Sequence, residues 1–149
     1  MRAVVQRVLS SSVSVDREVT GAIEKGLTVL IGVEEGDTEK DVSYIADKVS
    51  GLRIFTDEND KMNLSVKDVG GSVLAISQFT LLGDVRKGKR PAFITAEEPE
   101  RANRLYEDVC SKIREQGIQV ETGVFQAHML VKIDNWGPVT ILLDSRKTF

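Results

Sequence analysis

Apolar residues recur along the chain with two different periods, and these divide it into helices and strands. Over residues 38–50, Val42, Ile45, Ala46 and Val49 fall at helical spacing behind Thr38-x-x-Asp41, which resembles a capping box, with Gly51 just past the end. Over residues 99–116, Ala102, Leu105, Tyr106, Val109, Cys110 and Ile113 form one stripe, with Pro99 in the first turn and Gly117 after the last. Both segments predict amphipathic helices. The remainder reads as strand. Val13 and Val15 alternate with Ser12, Ser14 and Asp16, and Asp16-Arg17-Glu18 predicts a turn into a second short strand around 19–24. Residues 27–33 and 73–76 are continuous apolar runs, the pattern of strands buried on both faces. Phe125, Ala127, Met129, Val131 and Ile133 share one parity, with His128, Leu130 and Lys132 on the other. Val139, Ile141 and Leu143 then alternate with Thr140 and Leu142. Strands outnumber helices and do not alternate with them as in a βαβ array. The pattern therefore predicts an α+β fold, a mostly antiparallel sheet or open β-barrel packed with two main helices. No repeat, low-complexity tract or Pro/Gly-rich linker interrupts residues 1–149, so a single domain is expected.

Composition narrows the chemistry. A chain of 149 residues can bury about two thirds of its unfolded surface. Its 20 Lys and Arg against 23 Asp and Glu give a net charge of −3, which excludes a wholly basic nucleic-acid coat but not a local basic patch. With one His and one Cys, neither an intrachain disulfide nor a Cys/His zinc site within one chain can form. Any Ser–His or Cys–His mechanism would have to use His128. No apolar run approaches the ~20 residues of a membrane span, and MRAVVQRVLS lacks the apolar stretch of a signal peptide. A cytoplasmic location is expected. Nucleotide-binding, nucleophile-elbow and metal-spaced motifs are missing from the sequence, and no cofactor or metal is expected. Cys110 lies on an apolar stripe and reads as a buried structural thiol, and His128 as a surface or edge residue. The carboxylates are expected on solvated faces, and no pair of them recommends itself for acid/base work. An enzyme built this way must draw on backbone donors or on its substrate.

Three segments stand apart. Ser77-Gln78-Phe79-Thr80-Leu81 ends an apolar strand with hydroxyl and amide groups, and strand alternation would put Ser77 and Phe79 on one side, Gln78 and Thr80 on the other. It is either a site or a strand fraying into a turn. Asn135-Trp136-Gly137-Pro138-Val139-Thr140 reads as a hairpin turn between strands 128–133 and 139–143, or as a sharp turn with exposed carbonyls. Asp84-Val85-Arg86-Lys87-Gly88-Lys89-Arg90-Pro91 is either a solvated basic loop or a phosphate-contacting one.

Taken together, MRAVVQRV, SQFTL at 77–81, KGKRPAF at 87–93, LYE at 105–107, TGVF at 122–125 and NWGPVTILLDS at 135–145 resemble the D-aminoacyl-tRNA deacylases, also called D-tyrosyl-tRNA deacylases. The resemblance runs end to end, and SQFTL with N-x-G-P-V-T at this separation is specific where either alone is weak. It implies a homodimer with active sites at the subunit interface, where SQFTL of one chain faces the Gly-Pro turn of the other. It also implies that Gly137 and Pro138 form a cis peptide whose carbonyls capture the α-amino group of a D-aminoacyl ester and exclude an L side chain. Arg7 matches the arginine that holds that turn. Phe125, Ala127 and Met129 are expected at the substrate pocket, and Arg86, Lys87, Lys89 and Arg90 at the tRNA acceptor end. Ser77, Gln78, Phe79 and Thr80 are the expected catalytic residues, the N–H groups near Phe79 and Thr80 stabilising the oxyanion. Two mechanisms fit the family, one with Thr80 as nucleophile and one in which the 2′-hydroxyl of the terminal adenosine activates water. The second is favoured, because a threonine hydroxyl needs a base. The implied reaction is hydrolysis of D-aminoacyl-tRNA, with Gly-tRNA as a further substrate to test.

The sequence departs from the family at Gln126 and His128, at Trp136 in place of a frequent Asp, and at Lys89 in place of a common Asn. Two alternatives stand beside this reading. One is a related deacylase that removes L-alanine from mischarged tRNA, from which Phe79 and Arg7 point away. The other is a non-catalytic dimeric module that binds nucleic-acid 3′ ends through residues 86–90, Arg146 and Lys147.

Overall fold

The computed structural model describes residues 1–149. In chain order it contains β1 (Arg2–Val15), β2 (Glu18–Ile23), β3 (Gly26–Gly32), α1 (Glu39–Gly51), β4 (Phe55–Thr56) and β5 (Met62–Leu64), then β6 (Ser72–Ser77), a 3₁₀ turn at Phe79–Leu82, α2 (Pro99–Glu115), β7 (Val120–Thr122) and β8 (Leu130–Asp144). The main sheet runs β2-β1-β3-β6-β7, with β8 also on β1, and β4-β5 form a small separate hairpin. The result is a mixed, nearly closed, barrel-like sheet with two helices.

Each helix is built as its spacing predicts. Thr38 and Asp41 close a capping box at the start of α1, whose buried face is Val42, Ile45, Ala46 and Val49. α2 buries Ala102, Leu105, Tyr106, Val109, Cys110 and Ile113, with Glu98 as its N-cap and Gly117 (φ +84°) just beyond its end. Gly51 differs from expectation: it is the last residue of α1, and the chain leaves through Leu52 without a left-handed cap.

The sheet is less antiparallel than expected. β1 pairs antiparallel with β2, β3 and β8, but β3–β6 and β6–β7 are parallel. Parallel neighbours need a crossover, and α1 and α2 provide one each, so two βαβ units lie inside a chain whose overall order hides them. The continuous apolar runs in β3 and β6 carried that signal, whereas β7, with three residues, is too short to show a period. Both helices share a core with the β1–β3–β6 face, including Val5, Leu27, Val29, Ile31, Val73 and Ala75. The opposite face holds a second, smaller cluster of Val8, Val13, Ile23, Leu74 and Ile76, covered by Met129, Val131 and Ile133.

The carboxylates are not all solvated. Asp37 and Asp144 are buried: Asp37 gathers donors from distant segments, and Asp144 accepts from the neighbouring Arg146 N–H and from Thr148. The Met1 ammonium donates to Asp37 (2.9 Å) and Arg146 donates to the same oxygen (3.1 Å).

Candidate active site

β6 stops at Ser77 because its parallel ladder with β3 stops there: the Gln78 N–H still donates to the Ile31 carbonyl (2.7 Å), and the chain then curls into the 3₁₀ turn. Strand alternation therefore fails at Gln78-Phe79-Thr80. The first N–H groups of such a turn have no acceptor in the turn before them and are free to donate outward. Gly32 permits the close approach, since a Cβ there would lie 2.7 Å from Leu82 and 3.0 Å from the Gln78 carbonyl. Arg2 reaches across from β1 and donates to the Leu81 carbonyl (3.3 Å), tying the turn down. The Gln78 side-chain amide donates to the Thr80 hydroxyl oxygen (3.0 Å).

A cavity of about 750 Å³ opens beside this turn, lined by Ser77, Gln78, Phe79 and Thr80 on one wall and by Phe125, Gln126, Ala127, His128 and Met129 on another. Ala96, Glu97, Pro99 and Ala102 contribute from the entry to α2, and Val33, Ile76 and Val131 from the sheet. Phe125, Ala127 and Met129 thus reach the cavity, but not as a strand: β8 begins only at Leu130, and Gln126 takes a left-handed φ of +64° in the preceding turn. Phe125 is backed by Tyr106, ring centroids 6.5 Å apart, and the Tyr106 hydroxyl donates to the Ala75 carbonyl of β6 (2.7 Å). Burial pushes the Tyr106 hydroxyl well up and the Cys110 thiol up, so both stay neutral and structural. His128 is exposed on the cavity rim.

Glu97 is a cavity residue that sequence reasoning missed, since only the fold brings the entry to α2 against the 3₁₀ turn. Burial pushes its carboxyl up, but the Glu98 N–H (2.9 Å) and the Arg101 guanidinium (2.6 Å) outweigh this and hold it below the ordinary range. It is ionised and fully engaged, which leaves it a poor base. No hydrogen bond joins the Thr80 hydroxyl to a base; its partner is the Gln78 amide.

The second candidate element lies elsewhere on the chain. Both halves of β8 pair antiparallel with β1, Thr140 opposite Gln6 and Asn135 opposite Val8. Residues 136–139 therefore face Arg7 alone, and the expected hairpin turn is instead an excursion from one continuous strand. Asn135 staples its two sides: its amide oxygen accepts from the Val139 N–H (2.8 Å) and its amide nitrogen donates to the Val139 carbonyl (3.3 Å). Gly137–Pro138 at the tip is cis and exposed. Gly137 has φ +135°, and a Cβ there would sit 2.9 Å from the Arg7 guanidinium. Arg7 is buried and donates to the Trp136 carbonyl (2.8 Å) and the Ile54 carbonyl (2.8 Å), with its guanidinium 4.5 Å from the Trp136 ring centroid.

Within one chain the two elements stay apart. Arg7 pairs with Leu27, which pairs with Val73, whereas Ser77 pairs with Ile31. The offset of four residues is roughly 13 Å along the strands. Arg7, Gly137 and Pro138 do not line the 750 Å³ cavity.

The basic loop is pinned by reciprocal hydrogen bonds between Asp84 and Ala92. The Arg86 guanidinium grips Asp84 at 2.7 and 3.0 Å and holds its carboxyl down at about 2. Lys87, Lys89 and Arg90 are exposed and form no ion pair. Phe93 packs edge-on against Phe79 (5.1 Å between centroids), linking this loop to the cavity wall.

The chain is similar to known proteins along essentially its whole length. A family model described as D-Tyr-tRNA(Tyr) deacylase matches residues 4–144. Proteins named D-aminoacyl-tRNA deacylase from Koribacter versatilis (strain Ellin345) and Clostridioides difficile (strain 630) are 62% and 59% identical over 149 residues, covering 100% of both chains in each case. A solved structure titled c-Myc DNA Unwinding Element Binding Protein superposes with a TM-score of 0.90 at 40% identity, covering 97% of this chain and 98% of that one. No helix is long and apolar enough to cross a membrane. The chain belongs to the D-aminoacyl-tRNA deacylase family and is an enzyme of the hydrolase class.

Proposed function

We propose that the protein hydrolyses the ester of D-aminoacyl-tRNA in the cytoplasm, as a homodimer in which each site is shared. The observation that carries this is the separation of the two elements. The cavity has its polar wall at 77–80, while the exposed Gly137–Pro138 tip stands roughly 13 Å away along the strands and so needs a second copy to reach a cavity. An outer face suited to such pairing lies beside it, where exposed Leu142 neighbours half-buried Val4 and the hydrogen-bonded Gln6–Thr140 pair.

In the shared site, carbonyls of the partner's Gly-Pro tip would accept from the α-ammonium of the substrate, and the approach of that backbone would leave no room for an L side chain. Water attacks the ester carbonyl, and the N–H groups of Phe79 and Thr80 hold the oxyanion, a contribution commonly of a few kcal/mol, or roughly 10²–10³ in rate per donor. Collapse breaks the bond to the ribose 3′-oxygen. That oxygen takes a proton relayed from the attacking water, with the 2′-hydroxyl of the terminal adenosine as relay. The Thr80 hydroxyl, whose partner is the Gln78 amide and not a base, and the engaged Glu97 support this assignment, since a threonine nucleophile needs a base to activate it. Lys87, Lys89 and Arg90 would meet phosphates of the acceptor end.

The test is deacylation of D-Tyr-tRNA, L-Tyr-tRNA, L-Ala-tRNA and Gly-tRNA by the purified protein. Release from D-Tyr-tRNA is expected to be far faster than the slow release from L-Tyr-tRNA, and Thr80→Ala should retain measurable activity. Preferential release of L-alanine would assign the chain to L-Ala-tRNA editing. tRNA binding without hydrolysis would leave a nucleic-acid 3′-end binding module.

A further inference from the structure

We propose that Trp136 is a positioning residue for the Gly-Pro tip, acting through Arg7. The inference rests on the reading of that tip as the element that distinguishes D- from L-substrates.

Arg7 is buried, at 6% exposure, yet forms no ion pair. Buried guanidinium groups ordinarily find a carboxylate, because two neutral acceptors only partly replace the lost water. Here the carbonyls of Trp136 and Ile54 accept two of its five N–H bonds, and the remaining partner is the face of the Trp136 indole, 4.5 Å from the guanidinium carbon. The negative potential over an indole face attracts a cation, and Arg, being planar, stacks on it. Lys25 lies 5.7 Å from the same ring, so the indole sits near two cations, neither of which forms an ion pair.

The geometry makes this more than packing. The residue that supplies the ring also supplies, through its own carbonyl, the acceptor for Arg7 Nε, and the next residue is Gly137. A Cβ at Gly137 would approach the guanidinium to 2.9 Å, so the backbone of the tip rests directly on Arg7. Only four residues, 136–139, leave the ladder opposite Arg7. A tilt of the guanidinium is thus transmitted to the tip without an intervening side chain. The indole fixes the tilt from the ring side, while the Ile54 carbonyl fixes it from the core side.

The test compares Trp136→Phe, which keeps an aromatic face, with Trp136→Met, which keeps apolar volume without one. The readout is the ratio of kcat/KM for D-Tyr-tRNA to that for L-Tyr-tRNA, which does not change when a fraction of the protein is merely unfolded. Trp136→Met is expected to lower this ratio about tenfold, equivalent to ~1.4 kcal/mol. Trp136→Phe should stay within about threefold of the parent. Equal ratios in parent, Phe and Met variants overturn the inference, and so does an equal loss in Phe and Met, which would make the indole's size and not its face responsible. Gly137→Ala separates the two levels of the argument. If it collapses the ratio while Trp136→Met does not, only the role of Trp136 fails; if it leaves the ratio unchanged, the reading of the tip fails. Trp136 is the only tryptophan. Its emission should therefore change in Arg7→Met, and unchanged emission would contradict the stacked contact.

Discussion

The ladder between β1 and β8 holds buried charge in two opposite ways. At its Arg2–Asp144 end, buried carboxylates meet cations and hydroxyls: Asp37 accepts from the Met1 ammonium and Arg146, and the Ser145 hydroxyl donates to Asp41 (2.6 Å). Five residues along β1, Arg7 is equally buried but meets two carbonyls and an indole face. The first arrangement is complete within the chain and joins segments far apart in sequence. The second ends in the exposed Gly137–Pro138 tip. One region therefore maintains the fold, while the other gives the backbone a shape.

The sharpest test of that division sets Asp37 against Arg7. Asp37→Ala would leave the Met1 ammonium and Arg146 facing a buried vacancy, and removing one partner of a buried pair costs about 3–5 kcal/mol. Urea denaturation should show that loss, with deacylation per folded molecule unchanged. Arg7→Met should cost less stability, about 1–3 kcal/mol for the carbonyls that lose their donor. It should nevertheless reduce D-ester hydrolysis by roughly 10²-fold or more, as a misplaced substrate-orienting element does. If Asp37→Ala slows each folded molecule, or Arg7→Met is kinetically silent, the two regions are not divided in this way.

Acid offers a second, smaller contrast. Burial pushes the carboxyls of Asp41 and Asp144 up, but hydrogen bonds from Ser145 and Thr38 to the first, and from Thr148 and Arg146 to the second, outweigh it and hold both below 3.8. Glu97 is held below 4.5 for the reasons given above. A carboxyl with a lower pKa folded than unfolded contributes stability above its unfolded value and loses it as pH falls through its folded one. The urea midpoint should therefore drop progressively below about pH 4.5, and Asp41→Asn should flatten that slope. Arg7→Met should keep the parent slope, because carbonyls and an indole do not titrate. A changed slope in Arg7→Met would mean that the two ends are coupled.

The same division explains what the sequence could reveal. Helices were legible because Val42–Val49 and Ala102–Ile113 each repeat one face, and the cap at Thr38 and the first-turn Pro99 mark where they start. The candidate residues at 77–80 and 135–140 were legible through their motifs. Their conformations were not. The strand pattern of 73–77 gives no sign that the ladder ends at Gln78, because that depends on where its neighbour β3 ends. The alternation of Phe125, Ala127 and Met129 mimics a strand, yet each simply reaches the cavity from a turn. Asp37 and Glu97 looked like solvated carboxylates because their partners lie far away in sequence, at residues 1 and 146 for Asp37, or depend on the entry geometry of α2 for Glu97. Asn135 stood inside a recognised motif, but only the excursion shows that it staples that motif shut.

The basic loop repeats the contrast at the surface and yields the smallest expected effects. Sequence gives it four cations, but Arg86 is already matched by Asp84, whose carboxyl stays ionised down to about 2. Arg86 is thus neutralised across any working pH, and Lys87, Lys89 and Arg90 are the charges available to phosphates. Each phosphate neutralised on a nucleic acid releases counterions and contributes roughly 0.7–0.9 to the slope of log affinity against log salt. Replacing Lys87, Lys89 and Arg90 together by Ala should therefore reduce the salt slope of KM for D-Tyr-tRNA by about two units, with kcat little changed. Arg86→Ala should move it far less, and Asp84→Asn should increase it by freeing the Arg86 charge. Equal effects of Arg86→Ala and of a single lysine substitution would show that the Asp84 pair opens on tRNA, making even this surface charge a partner for the substrate rather than for the fold.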